Sequence, residues 1–236
     1  MTAANLPEHA RNPIHTDAGA RAAGFPRALV AGVTTYAYLT HPPVATWGLD
    51  WLRSGGGEVR FRSPVFDGDD LECVPALDDG PDGDGVVTVA VRVGSDAPAR
   101  AVLRAARIGG PPLPLRTGEV LAPHGISLDG EWGAEYGSRA GEDLAMYDEQ
   151  RIVHPAVWPA LANQIVHTQV ARGPWIHLRS VVRHHQLVRA GSTALVRASV
   201  VQRYERGGER AILDVHVEVD EAVVATLEHE AIVALP

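Results

Sequence analysis

Apolar and polar positions follow two rhythms along this chain. From Ala28 to Leu39 nearly every residue is apolar or small, and the run stops at His41-Pro42-Pro43. A run of that length ending before proline predicts a buried helix, opened at Gly32. A shorter helix is expected from Asp17 to Ala23. The rhythm then changes. Glu58 to Val65, Leu71 to Leu77, Val86 to Val93 and Ala99 to Ile108 are short, rich in β-branched and other apolar residues, and separated by turn residues such as Asp67-Gly68-Asp69. These predict strands, with the Asp/Gly-rich stretch from Asp78 to Gly85 as a hairpin loop.

The same order then returns. Ile126 to Ala140 predicts a strand and a helix, and His154-Pro155 introduces a second apolar helix from Ala156 to Val170. Strands are expected at Ile176 to Val188, Ala194 to Tyr204, Arg210 to Val219 and Val223 to Val233, with turns at Ala190-Gly191-Ser192 and Gly207-Gly208. Between the halves, Gly109-Gly110-Pro111-Pro112-Leu113-Pro114 suits neither helix nor strand. Val59-Arg60 through Val65, with Gly68, has the same internal spacing as Val182-Arg183 through Val188, with Gly191. A helix followed by a long antiparallel sheet, given twice, means an α+β protein in which each sheet wraps one helix. The expected division is a first repeat at 1–110, a linker at 111–125 and a second repeat at 126–236. Pairing the two sheets edge to edge into one continuous sheet removes two exposed edges. The first repeat has little room for a strand before Asn12 and is expected to be the shorter.

Composition narrows the function. The chain has 236 residues, 45% of them hydrophobic, enough for a core without staples. Its single cysteine, Cys73, excludes an internal disulfide. With 29 acidic against 21 basic residues, net charge -8, it lacks the clustered cations of a general nucleic-acid binder. All basic residues are Arg, so lysine Schiff-base chemistry is excluded. No apolar run nears the ~20 residues that cross a bilayer, and Met1 to Glu8 does not read as a signal peptide. A cytoplasmic protein is expected. Gly55-Gly56-Gly57 lacks the Lys-Ser/Thr of a phosphate loop, and no zinc spacing is present. No cofactor or metal is expected.

One segment carries chemistry. Asn12-Pro13-Ile14-His15-Thr16-Asp17 is followed by Leu29-Val30-Ala31-Gly32, and later by Val59-Arg60-Phe61-Arg62-Ser63-Pro64-Val65-Phe66-Asp67-Gly68-Asp69. These motifs resemble those of the MaoC-like (R)-specific enoyl hydratases and 3-hydroxyacyl dehydratases. The resemblance implies a double hot-dog fold and a partner that is an acyl-CoA or acyl-carrier-protein thioester. It implies reversible addition of water to a trans-2-enoyl thioester, with Asn12 and His15 in the catalytic motif and Gly32 as the backbone donor to the thioester oxygen. The chemistry suits these residue types. Water needs a base to take its proton, and the developing enolate oxygen needs a donor such as an N–H at a helix start.

Where the family has aspartate, this chain has Ala10. In the second half Glu142 falls at the aspartate position and Tyr147 at the histidine position, so neither half holds the full Asp/His pair. Three readings stay open: Glu8 or Glu142 replaces the carboxylate; His15 alone serves another step, such as isomerisation or thioester hydrolysis; or the protein only binds an acyl group. Asn12, His15 and Gly32 occur together only in the first half, which is expected to hold one functional site. Because the chain carries both repeats, a monomer or homodimer is expected. His154 is expected to cap the second helix rather than act in catalysis. The five tryptophans are expected in core or interface. Ser180 has no nucleophile context, and Cys73 is read as packing.

Overall fold

The computed structural model describes residues 1–78 and 85–236. The expected hairpin loop between Asp78 and Gly85 therefore lies almost wholly outside the described residues. Five α-helices precede or interrupt the strands: α1 (Asp17–Ala22), α2 (Gly32–Ser54), α3 (Glu135–Arg139), α4 (Met146–Gln150) and α5 (Val157–Ile165). In the first half the strands are β1 (Gly56–Phe61), β2 (Leu71–Asp78), β3 (Val86–Val93) and β4 (Ala101–Ala106). Two short strands follow, β5 (Glu119–Val120) and β6 (His124–Ser127), then the long ones: β7 (Ile176–His184), β8 (Thr193–Glu205), β9 (Glu209–Val219) and β10 (Ala222–Ala234).

All ten strands form one antiparallel sheet in the order β2-β3-β4-β1-β7-β10-β9-β8-β5, with β6 also on β8. β1 to β4 of the first half have 6 to 8 residues, against 9 to 13 in β7 to β10. At the centre β1 pairs with β7, Gly56 opposite Arg183 and Glu58 opposite Val181. Since Val59 and Val182 are counterparts in the repeat, Glu58 faces its own counterpart. An approximate dyad therefore passes through that pair. It extends beyond the strands: Leu29 bridges Phe66 as Ile152 bridges Arg189, and Val30 N–H donates to Val65 O as Val153 N–H does to Val188 O.

The sheet curls round α2 and α5, whose apolar residues merge with its inner face into one large core. Tyr36, Leu39 and Trp51 on α2 and Leu161 and Ile165 on α5 are fully buried.

Four local readings change. The first helix does not stop at His41. It continues through Pro42 and Pro43 to Ser54, with its break at Gly48, whose φ of 56° suits glycine. One of the two carbonyls that the prolines orphan has another donor. Pro42 has no N–H for Tyr38 O, and the Cys73 thiol donates to that oxygen at 3.6 Å. Nearby, the Thr40 and Thr46 hydroxyls donate to Ala37 O and Pro42 O. The second helix ends as a π-turn, Val166–Val170. β1 stops at Phe61, because Arg62 and Ser63 turn their N–H groups onto Arg100 O. Finally, part of the stretch read as linker is ordered on the sheet: Glu119 and Val120 pair with Val200 and Ser199, and His124 with Val196.

Gly56 is where the central join is tightest. A Cβ there would lie 2.5 Å from Val182 O and 3.2 Å from the Gly109 Cα. Gly56→Ala is expected to destabilise the protein by about 1–3 kcal/mol, the usual range for overpacking, read as a lower urea midpoint. An unchanged midpoint would mean that the two strands can part at no cost.

Candidate active site

The Asn12-to-Asp17 motif folds as a 3₁₀ turn, Pro13–His15, leading into α1, and Thr16 caps α1 by accepting from Gly19 N–H. Asp17 accepts from Ala28 N–H. These bonds tie the motif to the segment just before α2, so His15 and the start of α2 arrive together. The His15 ring lies against that segment, with Nδ1 2.8 Å from Leu29 O. Since a carbonyl only accepts, Nδ1 carries the proton and Nε2 is the basic nitrogen. Burial lowers the imidazole to about 4, against the opposing pull of the Leu29 carbonyl. The ring is therefore neutral near pH 7.

His15 and Gly32 line one cavity of about 220 Å³ with Asn12, Thr35, Phe61, Asn163, Trp175 and His177. Its walls are mainly apolar and come from both halves. Gly32 is the first residue of α2, where backbone N–H groups have no partner in the helix. A second cavity, about 40 Å³, adjoins it. His15, Asn12, Asn163 and Trp175 line both, and the smaller one adds Glu8, His9 and Arg11. It has room for water.

Asn12 is buried, and both ends of its amide meet Trp175: Nδ2 donates to Trp175 O at 2.8 Å, and Oδ1 lies 3.5 Å from Trp175 N. Its side chain clamps the motif to the chain entering β7. Ala10 is exposed. Glu8 turns inward, where Oε2 accepts from Arg139 at 2.5 Å, while Oε1 is buried with no partner among the described residues. His9 Nε2 lies 3.2 Å from the Tyr136 hydroxyl. Burial, then the neighbouring His15, Arg139 and Arg11, lower His9 to about 3.

Glu142 and Tyr147 are not at this cavity. Glu142 Oε1 accepts from His41 at 2.7 Å and from the N–H groups of Asp143 and Leu144. Burial pushes its carboxyl up, but His154, His41 and the Leu144 N–H outweigh that and hold it at about 2. His41, Glu142 and Asp143 offer ligand atoms within 4.8 Å of one another, yet Glu142 Oε1 already accepts three hydrogen bonds, from His41 and from the N–H groups of Asp143 and Leu144. The Tyr147 ring packs 4.7 Å from His154. By the dyad, Gly32 corresponds to Pro155, which has no N–H. His154 is fully buried and accepts from Ala156 N–H at 3.2 Å, just ahead of α5, whose first turn has no side-chain cap.

A family model of the MaoC like domain matches residues 8–98. Residues 8–98 are thus similar to a MaoC-like domain, and the fold of the chain is a double hot-dog. A double-hotdog protein from Mycobacterium tuberculosis aligns over 98% of this chain and 93% of its own, at 14% identity and a TM-score of 0.68. A MaoC domain protein dehydratase from Chloroflexus aurantiacus aligns over 96% and 88%, at 14% and 0.67. A thioesterase from Novosphingobium aromaticivorans aligns over 89% and 88%, at 14% and 0.56. At such identity these likenesses show the fold. No curated protein matches the sequence. The MaoC-like match covers His15, Gly32 and β1 and stops short of the second half, which supplies Asn163, Trp175 and His177. Reading the motif alone missed those three, since no local pattern marks a residue that meets the site across the dyad.

Several buried histidines share the shift of His15. Burial lowers His184 to about 4 and His229 to about 3. In the unfolded chain each would titrate near 6.5, so on acidification the unfolded state takes up protons first, and stability falls from about pH 6.5 towards 4. The urea midpoint is expected to drop clearly between pH 7 and pH 5, above the range where carboxylates titrate. A midpoint flat to pH 5 would show that these rings are not held neutral.

Proposed function

We propose that this protein is an acyl-thioester hydratase or dehydratase, acting on trans-2-enoyl or 3-hydroxyacyl thioesters of CoA or an acyl-carrier protein. The observation that carries this reading is the single cavity onto which both His15 and the N-terminus of α2 open. The apolar cavity suits an acyl chain. Arg62, exposed on its rim and without an acidic partner among the described residues, suits the anionic phosphates of the carrier.

In the hydration direction, water stands in the small cavity between His15 and Glu8. His15 Nε2 takes its proton as the oxygen bonds to C3 of the enoyl group. The C2=C3 electron pair moves towards the thioester oxygen, which gains negative charge and is met by Gly32 N–H and the positive end of α2. The same proton is returned to C2, so water adds across the double bond and the protein is unchanged. Glu8 takes the place of the carboxylate missing at Ala10, since it is the acidic side chain on the small cavity and keeps one free oxygen. Asn12 holds the frame. Pro155, which has no N–H, and the buried His154, Tyr136 and Tyr147 leave the second half as a wall, and we place one site per chain, in a monomer or homodimer.

The test follows loss of the enoyl-thioester absorbance with crotonyl-CoA and longer enoyl-CoAs, and with carrier-protein substrates. His15→Gln is expected to lower kcat by roughly 10³-fold, within the range for removing a general base. Glu8→Gln is expected to cost about 10–100-fold, and Tyr147→Phe or Glu142→Gln much less. Full activity of His15→Gln with loss in Tyr147→Phe would move the site to the second half. Thiol release without hydration would make the protein a thioesterase, a chemistry the same fold hosts. Saturable acyl-CoA binding without either would make it an acyl-binding protein.

A further inference from the structure

Beneath Gly32 lies a chain of three buried polar side chains that the mechanism above does not use. His177 and Ser180 sit on β7, and His229 sits on β10 directly opposite Ser180. His177 Nε2 is 2.8 Å from Ser180 Oγ, which is 2.9 Å from His229 Nδ1. The two rings lie 4.2 Å apart. Ser180 and His229 are completely buried and His177 is 5% exposed.

A bulge makes this arrangement. Residues three apart on a regular strand point to opposite faces. Here Glu230 pairs with Arg179 and Ala231 with His177, so Leu178 is an extra residue in β7. The bulge turns His177 onto the inner face that Ser180 already occupies. His177 thereby lines the cavity and packs its ring at a tilt against Phe61, 4.6 Å between centroids. Its Nδ1 is buried, has no partner among the described residues, and faces the open side of Gly32, where a Cβ would lie 3.1 Å away. The space a side chain would fill at Gly32 is thus within hydrogen-bonding reach of an imidazole nitrogen.

We propose that His177 is a second donor to the thioester oxygen, its Nδ1–H acting beside the Gly32 N–H, with Ser180 and His229 setting its tautomer. This rests on the hydratase reading above. Ser180 has one proton to give. If it donates to His177 Nε2, it accepts from His229 Nδ1–H, and His177 must carry its own proton on Nδ1. If it donates to His229, His177 Nδ1 is bare. No formal charge differs between the two arrangements, and an oxygen at Gly32 selects the first. Burial holds both rings well below their ordinary values, in His177 aided by the neighbouring His229. The donor is thus a neutral imidazole.

The test has two arms on the full chain. In the first, crotonyl-CoA hydration is followed in His177→Phe, which keeps the ring against Phe61 but removes the donor. kcat is expected to fall about 100-fold with KM within about threefold, the loss typical of one oxyanion donor, and the acid limb of the pH–rate profile, set by His15, to stay in place. Ser180→Ala, which frees the tautomer, is expected to lose about tenfold. In the second arm, ¹⁵N-labelled histidine is observed by NMR with saturating butyryl-CoA, a thioester with no double bond to hydrate. His177 Nδ1 is expected to show the shift of a protonated nitrogen. A bare Nδ1 in the butyryl-CoA complex, or full kcat in a folded His177→Phe, would overturn the proposal. If the wild type hydrates no enoyl thioester, the hydratase reading falls, while a protonated Nδ1 against butyryl-CoA would still support His177 as the oxygen's donor. Failure of butyryl-CoA to bind would overturn both.

Discussion

The structure depends on the antiparallel pairing of β1 with β7. Each half alone would offer an open sheet edge beside its helix, and the pairing removes both edges at once. It also decides where the chemistry is. Because the strands run antiparallel about a dyad at Glu58 and Val181, the start of β7 meets the end of β1, next to the N-terminus of α2. Trp175, Ile176 and His177 thus become a wall of the first half's cavity. Gly56 is small for this reason: a Cβ there would lie 2.5 Å from Val182 O.

The dyad relates two backbones but not two sites. On one side a helix starts with Gly32 and faces a cavity; on the other it starts beside Pro155 and is filled by His154, Tyr136 and Tyr147. The filled side is polar: Glu142 Oε2 lies 4.0 Å from His154 Nε2, and the Tyr147 hydroxyl has no hydrogen bond among the described residues. Fusion of two repeats in one chain permits this asymmetry. In a dimer of identical repeats any substitution would appear at both sites, whereas here one half can give up its helix end and serve as scaffold.

Much of this was legible in the sequence. The alternation of one long apolar run with short β-rich segments, repeated with equal spacing around Val59 and Val182, implied paired sheets around helices, and the Asn12-to-His15 motif marked the cavity. What escaped depends on contacts between distant residues. Proline signals are local, so they ended the first helix at His41, whereas the helix continues, with the distant Cys73 serving the carbonyl that Pro42 leaves free. Asn12 belongs to the motif, but its bond to Trp175, 163 residues further on, could not be read from it. Strand alternation put His177 and Ser180 on opposite faces, and only the bulge at Leu178 unites them.

The clamp between Asn12 and Trp175 also sets when the site can exist. A chain is made from its N-terminus, so His15 and Gly32 emerge long before Trp175 and His177 have been added. The base and the helix end are present early but face water, without the wall that makes a dry cavity. Contacts between residues so far apart in sequence carry a large loop-closure cost and form late. The cavity is therefore closed only once Trp175 and His177 have been made and β7 has paired with β1.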